Sequence, residues 1–197
     1  AHLSVIDDLG NAVAYTTTLN LSYGSKIVVD GAGFLLNNEM DDFSAKENEP
    51  NFYGLVGRKA NSIEPGKRML SSMTPTIVLK DGEPLLVTGS PGGSTIITTT
   101  LQVILNVIDH GMDLDKAVAS PRFHHQWRPD RVIHEESAFS EETKEELVQM
   151  GHRNLNTIPT YYGRGIGDAN SVMKLTNGFI GVSDPRNAGG AKGVREN

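Results

Sequence analysis

The sequence contains no cysteine, which rules out disulfides, thiolate catalysis and cysteine-built zinc or iron–sulfur sites. It also lacks an excess of positive charge. Eighteen Lys and Arg stand against twenty-four Asp and Glu, for a formal net charge of −6, so no broad basic surface is available to attract a phosphate backbone and nucleic acid is excluded as a partner. The one compact basic cluster, Arg58 to Lys67 with Arg68, is broken by Glu64 and by turn residues and reads as a solvated loop. No apolar run approaches the roughly 20 residues of a membrane-spanning helix, and the first residues carry no basic-then-apolar targeting pattern. No membrane-spanning segment is therefore expected in this chain. Internal repeats and low-complexity arrays are absent as well.

What remains is the material of one globular domain over residues 1–197, with 38% hydrophobic and 21% charged residues. A chain of this length buries roughly 70% of its unfolded surface, so stability alone calls for no metal or cofactor. The chain opens directly on a strand-like run, Leu3-Ser4-Val5-Ile6, and such a start suggests release from a longer precursor.

Strand-rich runs at 2–7 and 11–19, separated by Asp8-Leu9-Gly10, predict a hairpin. Further strands are expected at 33–36, 76–80, 85–88, 131–134, 171–175 and 179–182, with hairpins at Asp81-Gly82 and Asn177-Gly178. Helices are expected from Ser94 to about Asp109, from Leu114 to Ala119 behind the potential cap Asp113, and after Ser140, where Glu141, Glu142, Glu145 and Glu146 precede Gly151. Hairpins around a central helical block define an α+β layered fold. Residues 44–72 and the tail 187–197 are read as long loops.

Four clusters carry candidate chemistry. Gly89-Ser90-Pro91-Gly92-Gly93-Ser94 lies between a strand and a helix. It is either a tight turn or an anion cradle, and without the Gly-Lys-Ser/Thr ending of a nucleotide loop it suits an oxyanion better than a phosphate. Asn37-Asn38-Glu39-Met40-Asp41-Asp42-Phe43 holds three carboxylates in four positions: a solvated face, or a site for an ammonium group, since calcium-loop spacing is missing. Leu70-Ser71-Ser72-Met73 is an ordinary turn or a pair of hydroxyls for a carboxylate. His124-His125 would point apart and lack a third ligand, which favours a structural or interface role over a metal.

These clusters, together with Thr16-Thr17-Thr18-Leu19-Asn20, Ser120-Pro121-Arg122-Phe123-His124 and Ser183-Asp184-Pro185-Arg186, occur in an order that resembles the gamma-glutamyltransferase family from Ala1 to about Arg186. The resemblance implies an αββα four-layer sandwich of the N-terminal-nucleophile type, completed by a large subunit from the same precursor. It implies gamma-glutamyl transfer from glutathione and related donors to water or to amino acid and peptide acceptors, through a threonyl intermediate and without cofactor or metal. Thr18 would then hydrogen-bond the nucleophile and the Gly92 and Gly93 amides would form the oxyanion hole. Glu39, Asp42 and Asn20 would hold the donor's α-amine, and Ser71 and Ser72 its carboxylate, helped by an Arg of the large subunit. Residues 46–58 would form a lid with Tyr53 as gate. A periplasmic, secreted or outer-surface location follows from the same resemblance.

In the family's pattern a Thr precedes an Ala-His or Thr-His pair; here Ala1-His2 supplies the pair, and the Thr is expected immediately before it. A modified Thr, a removed Thr and a variant that has lost its nucleophile all fit this pattern; modification or omission is the expectation, because the pocket residues would have no use without chemistry. The alternatives to gamma-glutamyl transfer are a related acylase or polyglutamate-cleaving enzyme on the same fold, and an inactive assembly subunit.

Overall fold

The computed structural model describes residues 1–160 and 165–194. The elements are β1 (His2–Ile6), β2 (Ala12–Thr16), β3 (Thr76–Lys80), β4 (Glu83–Thr88), α1 (Ile96–Ile108), α2 (Leu114–Ala119), β5 (Phe123–His124), β6 (Val132–Glu135), α3 (Glu141–Gln149), β7 (Leu155–Ile158), β8 (Ser171–Leu175) and β9 (Gly178–Val182). They form a two-stranded hairpin β1-β2, a four-stranded antiparallel sheet β3-β4-β8-β9 and a three-stranded sheet β5-β6-β7.

Alternation along the central strands decides which layer each side chain meets. Val78, Leu86, Met173 and Ile180 lie in one cross-strand row, and this face packs on Val103 of α1 and on Leu114 and Val118 of α2. In α1, the buried residues Ile96, Thr99, Thr100 and Val103 recur at helical spacing. Each fully buried aliphatic side chain here contributes roughly 1.5–3 kcal/mol. The neighbouring residue Val87 points to the opposite face, where the hairpin lies: Ser4 Oγ donates to the Asn170 carbonyl at 2.8 Å. The result is a helical layer, a sheet and a second strand layer.

The hairpin's inner row is His2, Ser4, Ile6, Ala12, Ala14 and Thr16. Its outer row, Leu3, Val5, Val13 and Tyr15, is apolar and 42–56% exposed. Helix α1 shows the same asymmetry, with Ile97, Leu101, Leu105 and Ile108 exposed. Helix α1 thus carries an exposed apolar stripe in addition to the side it buries.

The lower part of the molecule is held by four buried charged side chains. Arg122 Nη2 meets Asp184 Oδ2 at 2.7 Å, and Arg186 reaches Asp184 Oδ1 with Nη1 at 3.1 Å and grips Glu135 with Nε at 2.7 Å and Nη2 at 2.5 Å. None is more than 4% exposed. The carboxylates also accept backbone amides: Ile166 and Arg122 on Glu135, Ala169 and Arg186 on Asp184. Burial by itself would raise the Glu135 carboxyl, but the Arg186 hydrogen bonds and charge and the two backbone amides outweigh it and hold it below the usual range. Sequence motifs 120–124 and 183–186 thus meet in space around one polar core.

Several expectations need correction. Residues 33–36 form no strand; only a single bridge, Val28 with Leu35, occurs there, since glycines at 31 and 33 take positive φ and break the extended run. The second hairpin strand stops at Thr16 rather than reaching Leu19, because Thr17 onward turns into the cleft described below. The strand expected at 131–134 begins and ends one residue later. Asp113 sits at the N-cap of α2 without capping it; its carboxylate takes Lys116 Nζ at 2.6 Å instead. Ser140 does cap α3, accepting from the Thr143 amide at 3.1 Å. β5 and β7 were not anticipated, and β7 pairs parallel to β6. The loop 44–72 includes a single 3-10 turn, Lys59–Asn61, and the last three residues of the tail 187–197 lie outside the described residues.

Removing one charge from the polar core strands the others. Glu135→Gln is expected to cost about 3–5 kcal/mol in urea unfolding. Because the Glu135 carboxyl is depressed, its contribution is present above the unfolded-state carboxylate pKa and is lost as pH falls through the lower folded value. A wild-type unfolding midpoint in the Gln variant would show that the network carries no stability.

Candidate active site

A cleft of about 940 Å³ opens where the hairpin, the β4–α1 loop and the long loops converge. Thr18, Asn20, Glu39, Asp42, Tyr53, Ser71, Ser72, Gly92 and Gly93 all line it, together with Ala1. Segments as distant as residues 1 and 93 therefore share one wall.

The glycine loop is shaped by close approach. A Cβ on Gly89 would lie 2.3 Å from His2 Cε1, so the strand end and the hairpin touch only because position 89 has no side chain. Gly92 and Gly93 have φ of +141° and +59°, values that favour glycine. Thr95 locks the turn by donating both its amide and its hydroxyl to the Gly92 carbonyl, at 3.2 and 2.9 Å. Among the described residues, neither the Gly92 nor the Gly93 amide donates to a protein acceptor. Both sit at the N-terminal end of α1, where the helix dipole favours negative charge. His2 has Nδ1 at 2.7 Å from Thr16 Oγ1 and Nε2 at 2.9 Å from Ser4 Oγ, and burial lowers its pKa. It is neutral at pH 7 and braces the loop from below.

The opposite wall is acidic. Glu39–Asp42 form one 3-10 turn, opened by the Asn37 side chain accepting the Glu39 amide at 3.0 Å. Burial raises the Asp42 carboxyl, and the negative charges of Glu39 and Asp41 raise it further. The same surroundings raise the Tyr53 phenol: burial first, then Asp42 and Asp41. Such a site is poised for a cation. Thr18 Oγ1 accepts the Asn20 amide at 2.8 Å, and Asn20, at φ +70°, donates from its side chain to the Asn38 carbonyl at 3.2 Å. Tyr53 covers the cleft, its hydroxyl donating to the Asn20 carbonyl at 3.0 Å and its ring so close to Gly93 that a Cβ there would be 2.4 Å from it.

Two asparagines that carried no signal in the sequence organise these parts. Asn61 Nδ2 donates to the Asp42 carbonyl at 2.7 Å while its Oδ1 accepts the Leu70 amide at 2.9 Å, so one side chain ties the acidic turn to the Ser71-Ser72 segment. Asn51 Oδ1 accepts the amides of Tyr53 and Leu55, both at 3.0 Å, and shapes the turn that presents the tyrosine. Asp41, the middle carboxylate, accepts the Phe52 amide at 3.1 Å. An isolated loop asparagine looks the same in sequence whether it faces water or bridges two segments. Among the described residues no group of three or more His, Cys, Asp or Glu is placed to hold a metal; His124 and His125 bond to Gln126 and Asp130.

The sheets and helices that surround this cleft are those of the N-terminal-nucleophile class of hydrolases. The family model for gamma-glutamyltranspeptidase matches residues 1–194, and the chain belongs to that family. It is 51% identical over 186 residues to the glutathione hydrolase proenzyme of Escherichia coli K12, covering 94% of this chain and 31% of that protein. Among solved structures, a gamma-glutamyltranspeptidase mutant from Pseudomonas nitroreducens superposes with a TM-score of 0.89 at 46% identity, covering 99% of both chains. A gamma-glutamyltranspeptidase mutant from Helicobacter pylori gives 0.86 at 53% identity, covering 94% of this chain and 98% of that one. The chain spans about a third of the length of the curated relatives it matches.

The coupling among the three carboxylates is directly measurable. Glu39→Gln removes one of the charges that raise Asp42, so the Asp42 carboxyl is expected to titrate at lower pH in the variant, read from its carboxyl carbon shift against pH. An unmoved titration would separate the two groups electrostatically.

Proposed function

We propose that this chain carries the nucleophile-side half of a gamma-glutamyl-transferring enzyme, acting on glutathione and similar donors and passing the acyl group to water or to an amino acid or peptide. The observation that carries the proposal is the pairing, across one cleft, of a carboxylate turn with a hydroxyl pair beside free glycine amides. A gamma-glutamyl compound has a free ammonium and a free carboxylate at one end and the scissile amide a fixed side-chain length away. Glu39, Asp42 and the Asn20 side chain suit the ammonium, and Ser71 and Ser72 suit the carboxylate. The amides of Gly92 and Gly93 then face the reacting carbonyl.

The nucleophile in this proposal is a Thr immediately before Ala1. Ala1 N donates to the Thr17 carbonyl at 2.8 Å and its carbonyl accepts the Thr17 amide at 3.0 Å, so a residue ahead of it would run beside Thr18. Its α-amine takes the hydroxyl proton as the oxygen attacks the gamma-carbonyl, and Thr18 Oγ1 orients that hydroxyl. The two glycine amides stabilise the tetrahedral oxyanion. Collapse expels the donor's amine, which leaves with the proton held by the α-amine; water or an acceptor amine then attacks the ester and regenerates the hydroxyl. Tyr53 and residues 46–58 close the donor site.

The exposed apolar rows of β1-β2 and α1, and the fraction of the relatives' length that the chain covers, support a partner: a large subunit from the same precursor, adding an outer layer and an Arg for the donor carboxylate. The relatives' name of glutathione hydrolase proenzyme supports the same assignment, and a periplasmic, secreted or outer-surface location goes with it.

Assay of the assembled two-chain protein with glutathione, with and without an amino acid acceptor, tests the activity; absence of turnover in a mature protein would sink it. N-terminal sequencing of the small chain, and loss of maturation when its first Thr is replaced by Ala, test the nucleophile. Asp42→Asn is expected to weaken donor binding by about 2–5 kcal/mol, seen in KM, with folding unchanged. Because the Asp42 carboxyl is raised, donor KM should climb with falling pH already above the ordinary carboxylate range, and this limb should vanish in the Asn variant. A pH-independent wild-type KM would place the ammonium elsewhere.

A further inference from the structure

The lid is anchored from behind by a chain of side chains whose hydrogen-bond directions are fixed from the Tyr53 carbonyl as far as His124 Nε2. Gln126 Nε2 donates to two main-chain carbonyls, that of Tyr53 at 2.9 Å and that of Arg128 at 3.0 Å. Carbonyls only accept, so this end of the amide must be the nitrogen. Gln126 Oε1 therefore accepts, and its partner is His124 Nε2 at 2.8 Å, which must carry a proton. Burial lowers the His124 pKa, and in the neutral ring Nδ1 is an acceptor 2.8 Å from Thr98 Oγ1, whose one proton is shared between this nitrogen and the Thr95 carbonyl at 3.1 Å. Thr98 stands in the first turn of α1, one turn beyond the glycine loop.

The frame behind this chain is stiff. Gln102 of α1 clasps β5 by accepting the Phe123 amide at 3.1 Å and donating to the Phe123 carbonyl at 2.8 Å. On the lid side, Gly54 has φ of +75°, and a Cβ on it would stand 3.0 Å from Pro129 Cδ. Turn 126–129 and lid residues 53–54 are thus in direct contact, and the only side-chain hydrogen bond from that turn to the lid is Gln126 to Tyr53 among the described residues.

We infer that Gln126 is a positioning residue for the lid: it latches Tyr53, through the Tyr53 carbonyl, to the same helix that presents the Gly92 and Gly93 amides, so that lid closure and the oxyanion wall share one support. The inference rests on the lid role proposed above. Gln126 touches no reacting atom. Its effect is to hold the Tyr53 ring over Gly93 and the phenol on the Asn20 carbonyl, which keeps a bound donor in place.

The test uses the processed two-chain protein with Gln126→Glu, which keeps the shape and loses both N–H donors, Gln126→Ala, and Gly54→Ala, which crowds the lid away from Pro129. Trypsin cleavage after Lys46 and Arg58 reports lid opening, and a chromogenic gamma-glutamyl anilide reports kinetics. All three variants are expected to be cut about tenfold faster within 46–58, as loss of a few closing interactions in a locally opening segment implies. The two Gln126 variants should raise donor KM by about fivefold to tenfold with kcat within about twofold. A purely packing role would leave Gln126→Glu like wild type, and that result, or lid cleavage within about twofold of wild type in the Gln126 variants, overturns the latch. If the wild-type protein turns over no gamma-glutamyl donor, the proposed function fails, while the cleavage rates still decide the latch.

Discussion

Two arginines and two carboxylates, buried to within 4% of full enclosure, tie together segments that are far apart in the chain. Arg122 enters from the end of α2, Glu135 from β6, and Asp184 and Arg186 from the stretch after β9. Charges withdrawn from water to this degree persist only if every one is matched, so the backbone around them has little choice. The amides of Ile166 and Ala169 are drawn onto Glu135 and Asp184, which fixes the segment that runs into β8. From there the constraint reaches the cleft: the Asp168 amide donates to Ser90 Oγ at 2.8 Å, and a Cβ on Gly167 would lie within 2.8 Å of both Ser90 Oγ and Thr99 Oγ1. The glycine loop is held by the polar core on one side and by neutral His2 on the other.

The role proposed for the free amides of Gly92 and Gly93 would require that rigidity. Donors aimed at a charge that develops during reaction help only if they need not reorganise to meet it. The opposite wall is built differently, from loops with single asparagine side chains as crosspieces, and it carries uncompensated negative charge. Asp42 is raised because burial and two neighbouring carboxylates oppose its ionisation; a ligand ammonium would relieve that tension.

The outward faces are unfinished in a consistent way. The outer row of the hairpin and the outer stripe of α1 are apolar and exposed, while Thr16, Thr99 and Thr100 are buried in the same elements. The chain folds around its own sheet yet presents two surfaces that suit further layers, in keeping with the share of its relatives' length that it spans.

The sequence by itself carried the α+β class, the hairpins at Asp81-Gly82 and Asn177-Gly178, and helices α1 and α3, because turn chemistry and helical periodicity are local properties written in adjacent residues, while the candidate site residues came from polar motifs whose order resembles a known family. It could not show that 33–36 would lack a partner strand, that Asp113 would prefer Lys116 to its helix, or that β7 would pair parallel to β6, since each of these is settled by what lies opposite in space. Asn61 and Gln126 are the plainest cases. Nothing in their neighbours distinguishes them from solvated side chains, and their roles arise only when the fold brings two carbonyls, or an amide and a carbonyl, within about 3 Å of one side-chain amide. A motif can announce which groups are needed, but the hydrogen bonds that hold those groups at working distance join residues as far apart as Tyr53 and Gln126, 73 positions, or Ser90 and Asp168, 78 positions, and only the closed chain decides them.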